Sequence, residues 1–165
     1  APNGCEAASL YMGLRDKGRL KGYTFPSFLR TMPIATDLNP NHGFGGSPYY
    51  SRPGAFEAIF PAPLTNWAKA YGNVRNISGS STTQIKDSLN QLHPVVAYVT
   101  IHFKKPIYQQ YWWGRGTNNN HAVLVDGYRA GAYHVSDPID GQYWINSAQF
   151  ESIYNARKWA LEVIS

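Results

Sequence analysis

A chain of 165 residues, 43% hydrophobic and 15% charged, has the make-up of one folded domain rather than a disordered tail. Its net charge of +5 favours anionic surroundings such as a cell wall or membrane face, but the basic residues form no long run and no nucleic-acid-binding motif is present, so nucleic acid is not expected as a partner. No apolar run approaches the roughly 18 residues of a membrane span, a single cysteine excludes an intrachain disulfide, and the absence of HExxH or any comparable ligand spacing points away from a metal or other cofactor.

The first predicted element is a helix over residues 3–14. Asn3 suits the N-cap and Glu6 completes a capping-box pattern. Ala7, Leu10, Tyr11 and Leu14 recur at helical spacing, and Gly18 is a stop signal. Arg15, Lys17, Arg19 and Lys21 gather near its end, where cations complement the helix dipole. Residues 36–63 are rich in Gly, Pro, Asn, Tyr and Ser and read as a long surface excursion. Helices are predicted over 64–71 and over 82–92, the latter with Ile85, Leu89 and Leu92 as its apolar stripe. Strands follow at 94–103, 121–128, 133–137 and 142–145, with Gly114-Arg115-Gly116 read as a turn. Ser147 is expected to cap a short helix carrying Phe150, Ile153 and Tyr154, and Trp159, Leu161 and Val163 alternate in a last strand. Helices first and an antiparallel sheet second make an α+β pattern.

Cys5 stands at the start of the first helix, where partial positive charge and free N–H groups favour a thiolate. Glu6 opposes this, because a neighbouring carboxylate disfavours a second negative charge. A cysteine nucleophile needs a base. His42 lies in the long loop, His93 precedes a proline, and His102 and His134 sit within strands. His121 follows Asn118-Asn119-Asn120 and opens the apolar run Ala122 to Val125, which places an imidazole at a sheet rim. If residues 127–131 connect the hairpin, residue 121 faces residue 137, and Asp137 becomes the carboxylate that orients His121. Asp126 is the rival, although Asp-Gly at a turn is more often structural.

Taken together, NGCEAASLYMGL at 3–14, HGFGG at 42–46, AFEAIFPAPLTNWAKAYG at 55–72, NISGSSTTQIKDSLNQLHPVVAYVT at 76–100, HAVLVDGY at 121–128 and VSDP at 135–138 resemble cysteine-peptidase family thirty-nine, in its peptidase-like branch related to bacteriocin-processing peptidases. The resemblance spans nearly the whole chain. It implies a papain-like fold of N-terminal helices packed on a C-terminal antiparallel sheet. It also implies a nucleophile at Cys5, a base at His121 and an orienting residue at Asp137. The family tends to carry a glutamine a few residues before the cysteine as an oxyanion donor. Ala1, Pro2, Asn3 and Gly4 hold none, so the role falls to an upstream residue or to Asn3 with the Cys5 backbone N–H.

The expected activity is hydrolysis of a peptide bond through an acyl-enzyme, with a peptide or protein as substrate and no cofactor. A cell-wall peptide hydrolase or amidase with the same residues is the close alternative. A non-catalytic binding module is the distant one, with Tyr49, Tyr50, Trp112 and Trp113 as its aromatic platform. Trp112 and Trp113 are the candidate substrate-binding residues in either case. The chain is expected to be a monomer, exported or surface-associated. Its start at Ala-Pro-Asn rather than Met carries the expectation that an upstream segment has been removed.

Overall fold

The computed structural model describes residues 3–165; Ala1 and Pro2 lie outside the described residues. Its centre is a six-stranded antiparallel sheet in the order β1-β8-β2-β5-β6-β7. The strands are β1 (Val74–Asn76), β2 (Val95–Thr100), β5 (Asn120–Arg129), β6 (Ala132–Asp137), β7 (Gly141–Asn146) and β8 (Ala160–Val163). Every residue of β2 is buried, because helices cover both faces of the sheet there. A separate hairpin, β3 (Tyr108–Tyr111) with β4 (Gly114–Thr117), stands apart from the sheet. The expected α+β, papain-like architecture is the one observed.

On one face lie α1 (Cys5–Asp16), α2 (Phe25–Leu29) and α3 (Pro61–Ala68). Leu10 and Leu14 of α1 are fully buried against Ala122 and Leu124 of β5 and Leu161 and Val163 of β8. Burial of each leucine contributes about 2–3 kcal/mol. On the other face α4 (Thr82–Asn90) and α5 (Ser147–Tyr154) enclose Val95, Val123, Val135, Phe150 and Tyr154.

Gly13 sets how closely α1 approaches the sheet. A Cβ there would stand 3.1 Å from Val163 Cγ2 and 3.2 Å from Leu124 Cδ1. The missing side chain is the clearance that lets the helix settle onto β5 and β8.

Several sequence expectations change. The helix begins at Cys5 with Gly4 as its N-cap and no side-chain cap, so Asn3 and Glu6 form no capping box. Asn3 donates instead to Ser47 O and Tyr50 O, and Glu6 is buried. The capping pattern was outcompeted by tertiary partners. Residues 36–63 are not simply a surface excursion: Phe44, Ala58 and Ile59 are fully buried, and Phe56 and Phe60 nearly so. The segment is threaded close to itself at Gly45, where a Cβ would meet Phe56 O at 2.5 Å. Gly114-Arg115-Gly116 is not a turn but the start of β4. Asn146, not Ser147, caps α5, accepting from Ala148 N and Gln149 N.

The β5–β6 hairpin differs from its expected register in an informative way. The turn is Ala130-Gly131, and near it Gly127 pairs with His134. Beyond a bulge at Asp126, Val125 pairs with Val135 and Leu124 with Ser136. Carried one step further, this register sets Asp137 beside Val123, and His121 reaches it diagonally rather than directly opposite. Without the bulge, the register of the turn would set Asp137 beside Leu124, on the opposite face of the sheet from His121. The bulge residue is held by its own side chain. Asp126 accepts from Ser136 Oγ at 2.9 Å and pairs with His134 Nδ1.

Gly13→Val should overpack the contact between α1 and the sheet and cost about 1–3 kcal/mol. Urea denaturation should show a lowered midpoint at unchanged slope.

Candidate active site

Three segments converge at the N-terminal end of α1. Cys5 opens the helix and is half-buried. Its neighbours are pinned to the start of β5. Ser9 Oγ donates to Ala122 O at 3.1 Å, and Asn120 Nδ2 donates to Glu6 Oε2 across 3.4 Å. His121 lies between those two β5 residues, so these bonds bring Cys5 and His121 to one rim of the sheet. Glu6 Oε2 also accepts from Ile59 N at 3.1 Å, which ties in the segment before α3.

His121 and Asp137 form a buried pair, His121 Nε2 donating to Asp137 Oδ1 at 2.7 Å. This bond fixes the tautomer, leaving Nδ1 as the basic nitrogen. Nδ1 is buried and has no hydrogen-bond partner. Asp137 is satisfied on all sides. Tyr143 Oη donates to Oδ2 at 2.8 Å, and the backbone N–H of Ile139 donates to Oδ1 at 2.9 Å. Burial alone would raise the Asp137 carboxyl, but the bonds from His121, Ile139 and Tyr143 hold it well below the usual carboxylate range.

All five histidines of the chain carry a carboxylate on one ring nitrogen. A partner carboxylate therefore singles out none of them. His121 differs in being only 1% exposed, so that its second nitrogen is buried without a partner. Asp126, the rival carboxylate, is committed to the bulge and to His134.

The thiol is not the ready-made thiolate that the helix start led one to expect. Burial, the Glu6 carboxylate and the Asp137 carboxylate push Cys5 up to about 12, and the pull of its own backbone N–H is too small to offset them. Loss of the proton from Cys5 requires a specific acceptor. Glu6 is itself pushed up to about 7, because burial outweighs the favourable pull of its own N–H, the Ile59 N–H, His121 and Arg157.

Asn3 donates both side-chain N–H groups, to Ser47 O at 3.1 Å and Tyr50 O at 3.3 Å, so no amide donor remains for an oxyanion. The loop carbonyls outcompete that role. Trp112 is 70% exposed at the tip of the β3–β4 hairpin. Trp113 turns inward, stacking on Tyr111 at 5.3 Å and packing on Phe56 and Phe60. The two tryptophans do not share a surface role, and Trp113 is a packing residue.

Sequence reasoning missed Tyr143, Asn120, Arg157 and the tertiary role of Glu6. Arg157 Nη1 donates to Asn120 Oδ1 at 2.6 Å and Nη2 to Val99 O at 2.7 Å, bracing the strand just before His121. Only Glu6 gave a sequence signal, as a carboxylate beside the cysteine, and its capping-box spacing disguised it.

A cysteine on a helix start, a histidine on the facing strand and an aspartate behind it, carried by helices on an antiparallel sheet, is the layout of papain-like cysteine peptidases. The chain belongs to the Peptidase C39 like family, whose profile matches residues 1–160. Among solved structures it is similar to a protein from Bacillus anthracis described as a C39-like peptidase. The match has a TM-score of 0.85 at 22% identity and covers 99% of this chain and 89% of that one. No curated protein sequence matches the chain.

Glu6→Gln keeps an oxygen for Ile59 and Asn120 and removes the titration. The Glu6 pKa is raised on folding from 4.5 to about 7, so the folded state holds that proton longer than the unfolded chain. Its contribution is present below pH 4.5 and is lost as pH rises through 7. Urea midpoints should therefore fall between these pH values in the native protein by more than in Glu6→Gln. Equal pH slopes would show that Glu6 does not titrate in this window.

Proposed function

We propose that this chain is a cysteine peptidase in which Cys5 is the nucleophile, His121 the general base and Asp137 the residue that orients the imidazole. The observation that carries the reading is the buried His121–Asp137 pair, with Nδ1 left free and the Asp137 carboxylate near enough to raise the Cys5 thiol. Asp137 holds the Nε2 proton, so Nδ1 is the atom that takes the thiol proton.

The thiolate attacks the carbonyl carbon of a peptide bond, and electrons move to the carbonyl oxygen. The Cys5 backbone N–H, at the helix start, is placed to donate to that oxyanion. His121 returns its proton to the leaving amine, and a thioester remains on Cys5. Water, deprotonated by His121, then releases the acid product and restores the thiol. The ionised Asp137 stabilises the imidazolium formed in each half. Tyr143 and the 139–140 backbone keep that carboxylate charged and fixed.

Because burial, Glu6 and Asp137 raise the Cys5 thiol, its reactivity is predicted to depend on His121. Iodoacetamide should label native Cys5 near neutral pH and label the His121→Ala protein at least about tenfold more slowly. Labelling that ignores His121 would remove the catalytic pair. In a peptide-cleavage assay, Cys5→Ala should lose at least about 10⁴-fold in turnover. Asp137→Asn, which keeps an oxygen for Nε2, should lose at least about tenfold, and Asp137→Ala about 100-fold or more. A larger loss in the Asn variant than in the Ala variant would assign Asp137 a different role.

A further inference from the structure

Linked to the site through Ile59 and Asn120 lies a cavity of about 280 Å³ that none of the steps above uses, walled by Phe60, Tyr108, Arg115, Thr117, Arg157 and Trp159. Two of its walls connect to residues that flank the site. Phe60 follows Ile59, the residue bonded to Glu6. Arg157 holds Asn120, the residue before His121.

Its chemistry is cationic and aromatic. The Arg115 guanidinium lies over the Tyr108 ring at 3.8 Å, and that of Arg157 lies 5.3 Å from the Trp159 ring. Among the described residues, neither arginine forms an ion pair, whereas Arg75 and Lys86 each do. The partners of Arg157 are the neutral oxygens of Asn120 and Val99. Burial pushes Arg157 down to about 10 despite the fields of Tyr98, Glu6 and Tyr108, as expected of a desolvated cation short of counter-charge. Glu6 does not supply that charge directly, because Asn120 stands between them and Glu6 Oε2 serves Ile59 and Asn120.

We propose that this cavity is a specificity subsite that receives the side-chain carboxylate of an aspartate or glutamate in the peptide substrate. The inference rests on the peptidase reading. Guanidinium forks match carboxylate oxygens, and the stacked rings hold the forks in place before substrate arrives. Phe60, Trp159 and Tyr108 offer apolar contact to the methylene groups of an acidic side chain, which a bare inorganic anion lacks. The chain's net charge of +5 favours encounter with an acidic segment.

The test uses the Cys5→Ala protein, so that binding is read without cleavage. Short blocked peptides, uncharged except for one glutamate moved along the sequence, are titrated calorimetrically against glutamine counterparts. At one position the glutamate peptide should bind about tenfold tighter, and the preference should disappear in Cys5→Ala/Arg115→Gln, since Arg115 is exposed on the hairpin and its loss spares the core. Equal binding of every glutamate–glutamine pair, a preference that survives Arg115→Gln, or no binding of any peptide would overturn the subsite. The same peptides are then offered to the protein with Cys5 intact. Preferential binding without cleavage would sink the peptidase reading and leave the carboxylate site standing. Cleavage with no glutamate preference would do the reverse.

Discussion

The geometry of the site depends on one small seam, where the first turn of α1 meets the first residues of β5. Apolar contact from Leu10 and Leu14 holds the helix on the sheet, but such contact is non-directional and would allow it to slide along its axis. The bonds from Ser9 to Ala122 and from Asn120 to Glu6 are directional and fix that position. Glu6 also takes the Ile59 N–H, so α1, β5 and the segment before α3 meet at one carboxylate oxygen. A buried carboxylate is costly. Here it lies beside a thiol whose ionisation it opposes, which is a cost in reactivity as well as in stability.

That cost has a chemical counterpart. A thiol held near its neutral form reacts slowly with adventitious oxidants and electrophiles, which attack thiolates. In the proposed reaction, proton transfer to His121 is the step that switches the sulfur on. The imidazole can accept because Asp137 is held ionised behind it by Tyr143 and two backbone N–H groups.

Much of the fold was legible in the sequence, because helical spacing in α1 and α4 and apolar runs in β2, β5 and β8 are local signals. The α+β layering followed from their order. Short elements whose existence depends on partners were not legible. β1 is three residues long and forms only against β8, and the β3–β4 hairpin is built around a Tyr111–Trp113 stack rather than an alternating pattern. Gly116 is required there by the closeness of those rings, a Cβ falling 2.9 Å from Tyr111 and 3.0 Å from Trp113, and it reads in sequence as a turn residue. Cys5, His121 and Asp137 could be named from sequence as a set, but the pairing argument for the last two assumed a longer turn and no bulge. It placed both on one face because its error in register was an even number of residues. Tyr143 and Arg157 had no local signature at all, since their roles exist only through partners distant along the chain.

The bulge at Asp126 has a consequence for how this chain can change length over evolution. A residue added to the Ala130-Gly131 turn merely enlarges the loop, because strand pairing on either side can persist. A residue lost between Leu124 and Arg129 can be absorbed by the bulge, but one lost between Ala132 and Asp137, with the bulge kept, exchanges inner for outer positions along the rest of that strand. Such a loss would carry Asp137 to the face that packs on α1 while leaving the outline of the sheet nearly intact. Relatives that keep the architecture but are one residue shorter in β6 would thus lose the histidine–aspartate pairing by arithmetic rather than by substitution, with cysteine, histidine and aspartate all still present in their sequences.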